Sequence, residues 1–179
     1  MKFKSIDEKI RSRSNSEKVK LQGIWNIDVF DGDRYPTSKS TLEHDAKPLF
    51  SPVVNKKNLN TNAGLQHVLA LMVGDSGTKY GFFGAGSGTT SAASGDTALE
   101  TQLANPIAVT EDYKTGMIGK WDTFCSTSQF NGNWREVCIC TAATSYTMLN
   151  HYILGGGETF TKASTQTVTA KCQETIADA

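Results

Sequence analysis

Five short segments in the second half of the chain, residues 107–110, 117–124, 134–140, 147–154 and 166–176, are rich in β-branched, aromatic or alternating apolar residues. Turn-forming runs at 114–116, 131–133, 143–145 and 155–157 divide them. Strands this short and this closely spaced satisfy their backbone groups by pairing antiparallel with near neighbours. The last segment shows the period of two most clearly: Val168, Ala170, Cys172 and Ile176 share one face, and Thr167, Thr169, Lys171, Gln173 and Thr175 share the other. The pattern predicts a mainly β protein, an antiparallel β-sandwich of jelly-roll-like form, with two short helices over one edge or end.

The helices are expected upstream. Thr61 or Asn62 caps the first, Leu65, Val68, Leu69 and Met72 form its apolar stripe, and Gly74 stops it; His67 lies off the stripe, facing solvent. A buried strand follows at 80–83, and the chain then breaks into Gly84, Gly86 and Gly88. Asp96 is placed to cap a second helix with Leu99 and Leu103 one turn apart. Strand, glycine loop and helix in this order resemble a phosphate loop, but no Lys lies between Gly84 and Ala104, and seven residues, 89–95, separate the last loop glycine from Asp96. The helix amino terminus therefore cannot meet a phosphate held by the glycines.

Before residue 58 the chain reads differently. Residues 1–22 carry seven Lys/Arg (Lys2, Lys4, Lys9, Arg11, Arg13, Lys18 and Lys20) against Asp7, Glu8 and Glu17, a local charge of 7 − 3 = +4, with few apolar residues. Such a stretch does not fold stably alone; it is either a disordered tail or a tether that orders on a partner surface. Residues 23–30 are strand-like, with Trp25, Ile27 and Val29 on one side, and Asp31-Gly32 is a hairpin turn signal. Asp28, Asp31 and Asp33 lack the closing Glu of a calcium loop. Pro36, Pro48 and Pro52 interrupt residues 34–60, which read as an extended connector. The domain division is thus an arm and connector over 1–57 and a β-sandwich module over 58–179.

The formal net charge is zero, which gives no global argument for nucleic acid or membrane binding. The longest apolar run, 68–73, is far below the roughly 20 residues that span a bilayer, and the first residues show no apolar signal core, so a product made in the cytoplasm is expected. Cys125, Cys138, Cys140 and Cys172 are expected as buried thiols, since a C-x-C pair lacks zinc-site spacing. A bridge, were one to form, would join Cys125 to Cys138 or Cys140. His44, His67 and His151 stand near no recognisable nucleophile, and Ser87 fails the nucleophile-elbow spacing. Glu136, an acid inside a presumed strand, is expected to pair with Arg135 or Lys120 at the surface. No catalytic, cofactor or metal residue is assigned.

Several fragments, in order, carry a resemblance: Asn60, Thr61, Asn62, Gly64 and Leu65 before the first helix; Gly84-Ala-Gly-Ser-Gly-Thr-Thr90; Gly95-Asp-Thr-Ala-Leu-Glu100; Asn131-Gly-Asn-Trp-Arg-Glu-Val137; Thr147-Met-Leu-Asn150; and Phe160-Thr-Lys162. Together, over about 58–177, they resemble a module of tailed-bacteriophage structural proteins. The chain departs from that pattern at Asn105-Pro106, where a basic residue is common, and at Cys138-Ile-Cys140, where Gly-Leu-Phe is common. The resemblance implies a non-enzymatic virion component, either capsid decoration or cement, or a neck or tail adaptor or fibre part. It implies docking to other virion proteins through the arm, with Lys2, Phe3, Lys4, Lys9, Arg11 and Arg13 as the contact residues, and a symmetric homo-oligomer, a trimer. Gly84, Gly86, Gly88, Asp96, Leu99, Trp134 and Glu136 are then structural. The alternative is a receptor- or carbohydrate-binding module using Trp121, Phe130, Trp134 and Tyr146 as a platform.

Overall fold

The computed structural model describes residues 19–32 and 47–178 of the chain. In chain order the elements are β1 (Val19–Asp31), β2 (Phe50–Lys57), β3 (Leu59–Asn60), α1 (Asn62–Val73), β4 (Phe82–Gly86), β5 (Ile107–Ala108), β6 (Glu111–Thr115), β7 (Ile118–Cys125), β8 (Gly132–Trp134), β9 (Glu136–Cys140), β10 (Met148–Ile153), β11 (Phe160–Lys162) and β12 (Gln166–Asp178). Two five-stranded sheets form, in the orders β2-β1-β12-β7-β6 and β3-β10-β9-β4-β5, with β8 and β11 as a separate pair; every pairing is antiparallel. The mainly β, antiparallel expectation is met.

The spine is the ladder between β1 and β12, unbroken from Val19 opposite Asp178 to Asp31 opposite Gln166. Its inward residues are those the period of two selects: Trp25, Ile27, Val29, Val168, Ala170 and Cys172 are all essentially buried. They meet Phe83, Ala85, Val137 and Ile139 of the other sheet in one core, and the Trp25 and Phe83 rings pack edge to face at 6.0 Å. Burying each of the Val, Ile and Phe side chains stabilises the fold by about 1.5–3 kcal/mol, so register is strongly specified: a slip by one residue would expose the whole set.

Thr61 caps α1, with extended backbone at φ −80°, ψ 152°, and its hydroxyl accepts from the Gly64 N–H at 2.9 Å. Gly74 closes the helix at φ 81°, in the left-handed region. Gly64 sets the helix hard against β10: a Cβ there would lie 2.5 Å from the Leu149 carbonyl oxygen. The apolar stripe is placed differently from expectation. Val68 and Leu71 pack on the core, whereas Leu65, Leu69 and Met72 are exposed, because the close approach at Gly64 rotates that face inward. His67 is not simply solvated; its Nε2 lies 2.7 Å from the Thr78 carbonyl oxygen and its ring meets Tyr80.

β1 and β2, both within the residues 1–57 read as arm and connector, belong to the sandwich, and β6 adds a strand that was not expected inside it. β2 lies in the stretch read as a connector, yet it pairs with β1 and buries Val53 fully. β6 covers a stretch read as a turn region; it forms a tight hairpin with β7, with Gly116 at φ 60°. The second helix is absent: α1 is the only helix among the described residues, and residues 87–106 run without helix. The four cysteines are free and buried, Cys125 and Cys172 in the main core, Cys138 and Cys140 with Leu99 and Met148 on the other face of β9. Among the described residues no helix is long and apolar enough to cross a membrane.

Candidate functional site

The long loop between β4 and β5 is gathered around the Glu136 side chain, at the start of β9. This carboxylate is fully buried and accepts four hydrogen bonds. Oε1 accepts from the Gly88 N–H at 2.9 Å and the Thr101 N–H at 2.8 Å; Oε2 accepts from the Glu100 N–H at 3.0 Å and lies 3.1 Å from His151 Nε2. About four lone-pair sites exist on a carboxylate, so none is left over. The glycines make this approach possible. A Cβ at Gly88 would lie 2.6 Å from Glu136 Oε1, and one at Gly86 would lie 2.6 Å from the Thr101 carbonyl oxygen.

His151, on β10, carries the clamp across to Asp96. Its Nδ1 stands 2.7 Å from Asp96 Oδ2, and the same oxygen accepts from the Ala93 N–H at 2.8 Å. Glu100 ties the start of the loop, accepting from the N–H groups of Thr89 at 2.7 Å and Thr90 at 2.8 Å. The Asn62 N–H, at the beginning of α1, donates to the Ser94 carbonyl at 2.7 Å, which joins helix and loop. Here lies the reason the second helix fails to form. Asp96 caps nothing after it, and the N–H groups of Glu100 and Thr101 go to Glu136 rather than to a helical ladder.

Electrostatics follow from these bonds. Burial alone would lower the His151 pKa, but its hydrogen bonds to Glu136 and Asp96 outweigh this and the net shift is upward. Burial pushes the Glu136 and Asp96 carboxyls up, and the His151 and backbone N–H bonds more than reverse this, so both end below their usual values. Glu100 is lowered by the N–H groups of Thr90 and Thr89. Ionised carboxylates only accept, so the geometry assigns a proton to each ring nitrogen and makes His151 an imidazolium between two carboxylates.

Asp96, Thr97, Glu100, Thr90, Ser91 and His151 line an open cavity of about 350 Å³ beside the clamp. General acid–base chemistry there would require a nitrogen or oxygen facing the cavity with spare bonding capacity. Both His151 nitrogens and all the Glu136 acceptor positions are already occupied, so the titratable groups in that lining with an oxygen outside the described bonds are Asp96 and Glu100. Among the described residues, no group of three or more His, Cys, Asp or Glu side chains is placed to hold a metal ion.

The structure therefore brings together Gly84, Gly86, Gly88, Asp96, Leu99 and Glu136. Leu99 is buried against Cys138, Cys140 and Met148, and Gly84 lies in the β4–β9 ladder opposite Cys138. Trp134 stands just before β9, fully buried in the main core. Glu136 does not pair with Arg135 or Lys120; Arg135 faces out, while Glu136 points in to the clamp. The arm residues Lys2, Phe3, Lys4, Lys9, Arg11 and Arg13 lie outside the described residues. His151 and Glu100 were missed as partners. Their signal was a histidine inside the apolar run 148–154, which has to find a partner once buried.

A pH dependence follows. The upward-shifted His151 contributes stability that is complete below its ordinary value of 6.5 and is lost as pH rises through its raised folded value. Glu136, with an ordinary value of 4.5, contributes stability above that pH and loses it as pH falls. Urea midpoints measured across the range should therefore peak on the mildly acidic side of neutrality and fall on either side. In His151→Gln the alkaline fall should flatten; the same alkaline slope in both proteins would contradict the imidazolium assignment.

Compared with known proteins, the chain matches no family model, no curated protein and no solved structure.

Proposed function

We propose that the chain is a non-enzymatic structural component of a tailed-phage virion. It serves as capsid decoration or cement, or as a neck or tail adaptor or fibre part, and docks to other virion proteins through its amino-terminal arm. One observation carries this reading: residues that resemble the phage module, Gly86, Gly88, Asp96, Glu100 and Glu136, meet in a single clamp whose hydrogen bonds hold the loop to the sandwich. A motif devoted to rigid display suits a scaffold more than a reaction centre. The carbohydrate-platform alternative finds less support. Phe130 and Trp134 are buried, the Trp121 Nε1–H donates to the Tyr80 carbonyl at 2.8 Å, and the Tyr146 hydroxyl accepts from Gln102 at 2.8 Å.

The test is co-assembly with purified virion components followed by imaging of added density. The truncation must stop at residue 18, because removal of 1–57 would take out β1 and β2 with Trp25, Ile27, Val29 and Val53. Density over the capsid with the full chain, lost without residues 1–18, is the result for a decoration protein. Density only at the neck or tail makes it an adaptor or fibre part. No density with either form overturns the proposal.

A further inference from the structure

At the α1 end, the sandwich opens into a second pocket, of about 540 Å³, lined by none of the clamp residues. Leu21, Val68, Leu71, Trp121, Leu149 and Ile176 supply its walls, from both sheets and the helix. Pockets of this size accept small molecules and are mostly apolar, with few polar groups. The polar groups in this wall are already bonded. The Trp121 Nε1–H goes to the Tyr80 carbonyl, the Tyr80 hydroxyl donates to the Gly64 carbonyl at 2.9 Å, and the Glu174 carboxylate accepts from Asn58, Asn60 and Asn150. An occupant of the interior is therefore apolar.

The rim has a sign. Lys79, Lys114 and Lys120 stand there with one acid, Asp112, and Lys79 already pairs with that acid at 2.6 Å. Lys120 lies over the Tyr113 ring, 5.5 Å from its centroid, which holds its ammonium near the mouth. A cationic head is repelled at this rim and an anionic one attracted. The same charge argues against the chain's own arm as occupant, since residues 1–18 carry six Lys/Arg against three acids.

We propose that this pocket binds a single-chain anionic amphiphile, its alkyl tail between the sheets and its head at Lys114 and Lys120. This stands independently of the virion reading. The probe is dodecanoate, titrated calorimetrically into the full chain below its micelle concentration, with dodecyltrimethylammonium as the cationic counterpart. Saturable binding of dodecanoate at one site, tighter than that of the cation, is expected. Reversal of the rim in Lys114→Glu/Lys120→Glu should weaken dodecanoate by about tenfold, the size expected for two exposed charge pairs. Leu71→Trp, which fills the pocket, should abolish binding; Val68→Phe serves the same purpose if the first variant melts early, and thermal unfolding of each variant separates lost binding from lost fold. No saturable binding, a preference for the cation, or an unchanged affinity after rim reversal in a folded protein would each overturn the proposal.

Discussion

Glu136→Gln is expected to lower the unfolding free energy by about 3–5 kcal/mol, the usual loss when one partner of a buried charge network is removed. Glutamine keeps the shape but replaces one acceptor oxygen with an NH₂ donor. That donor would face either the Gly88 and Thr101 N–H groups or the Glu100 N–H and the His151 ring, all of which are themselves donors. Each bond to a charged acceptor is worth about 1.5–3 kcal/mol, but the four act together and their losses do not add. The local consequence is as informative as the global one. Amide hydrogen exchange at Gly88, Glu100 and Thr101 should become fast before the sheets open, because those amides have lost their acceptor. A urea-measured loss below about 1 kcal/mol, with these amides still protected, would remove the clamp as the determinant of the loop.

Trp134→Ala should cost about 3–5 kcal/mol. The indole lies among Phe160 at 5.3 Å, Phe83 at 5.7 Å and Phe130 at 6.1 Å, measured between ring centroids, and is completely buried. Its Nε1–H donates to the Phe130 carbonyl at 2.8 Å, and Phe130 holds a left-handed φ of 51°, uncommon for a bulky residue. Truncation thus leaves a cavity among three rings, an unpaired buried carbonyl and an unsupported backbone conformation. Thermal or urea unfolding measures the loss, and a glycan panel separates the functional readings. A variant of unaltered stability that had lost binding to a glycan would return the carbohydrate-binding module to first place.

Much of the fold was legible because it is written in local periodicity. Trp25, Ile27 and Val29 alternate with polar residues, as do Val168, Ala170 and Cys172, and both runs lie where that alternation puts them, facing the core. Thr61 and Gly74 bound the helix because capping involves only residues within a turn of the cap. The strands that escaped notice are at sheet edges. β2 and β6 each pair on one side only and bury little, so their sequences, residues 50–57 and 111–115, show no apolar alternation to detect.

The candidate site was half legible. Glycines at 84, 86 and 88, an acid at 96 and an acid at 136 stood out, but what they do depends on partners far along the chain. Local signals at Asp96, Leu99 and Leu103 pointed to a helix. Glu136 and His151, on neighbouring strands of the sheet, reach the loop only after the strands pair, and they take the N–H groups and the carboxylate that such a helix would need. Glu174 tells the same story: it occupies the inward position between Cys172 and Ile176, and three asparagines from other strands or their approaches accommodate it there. The sequence by itself determined a β-rich chain, its inward faces and the caps of its one described helix, since these depend on neighbours a few residues away. Only the tertiary structure decided the path of the glycine loop, because there the acceptors that win the backbone N–H groups come from strands that meet it in space and not in sequence.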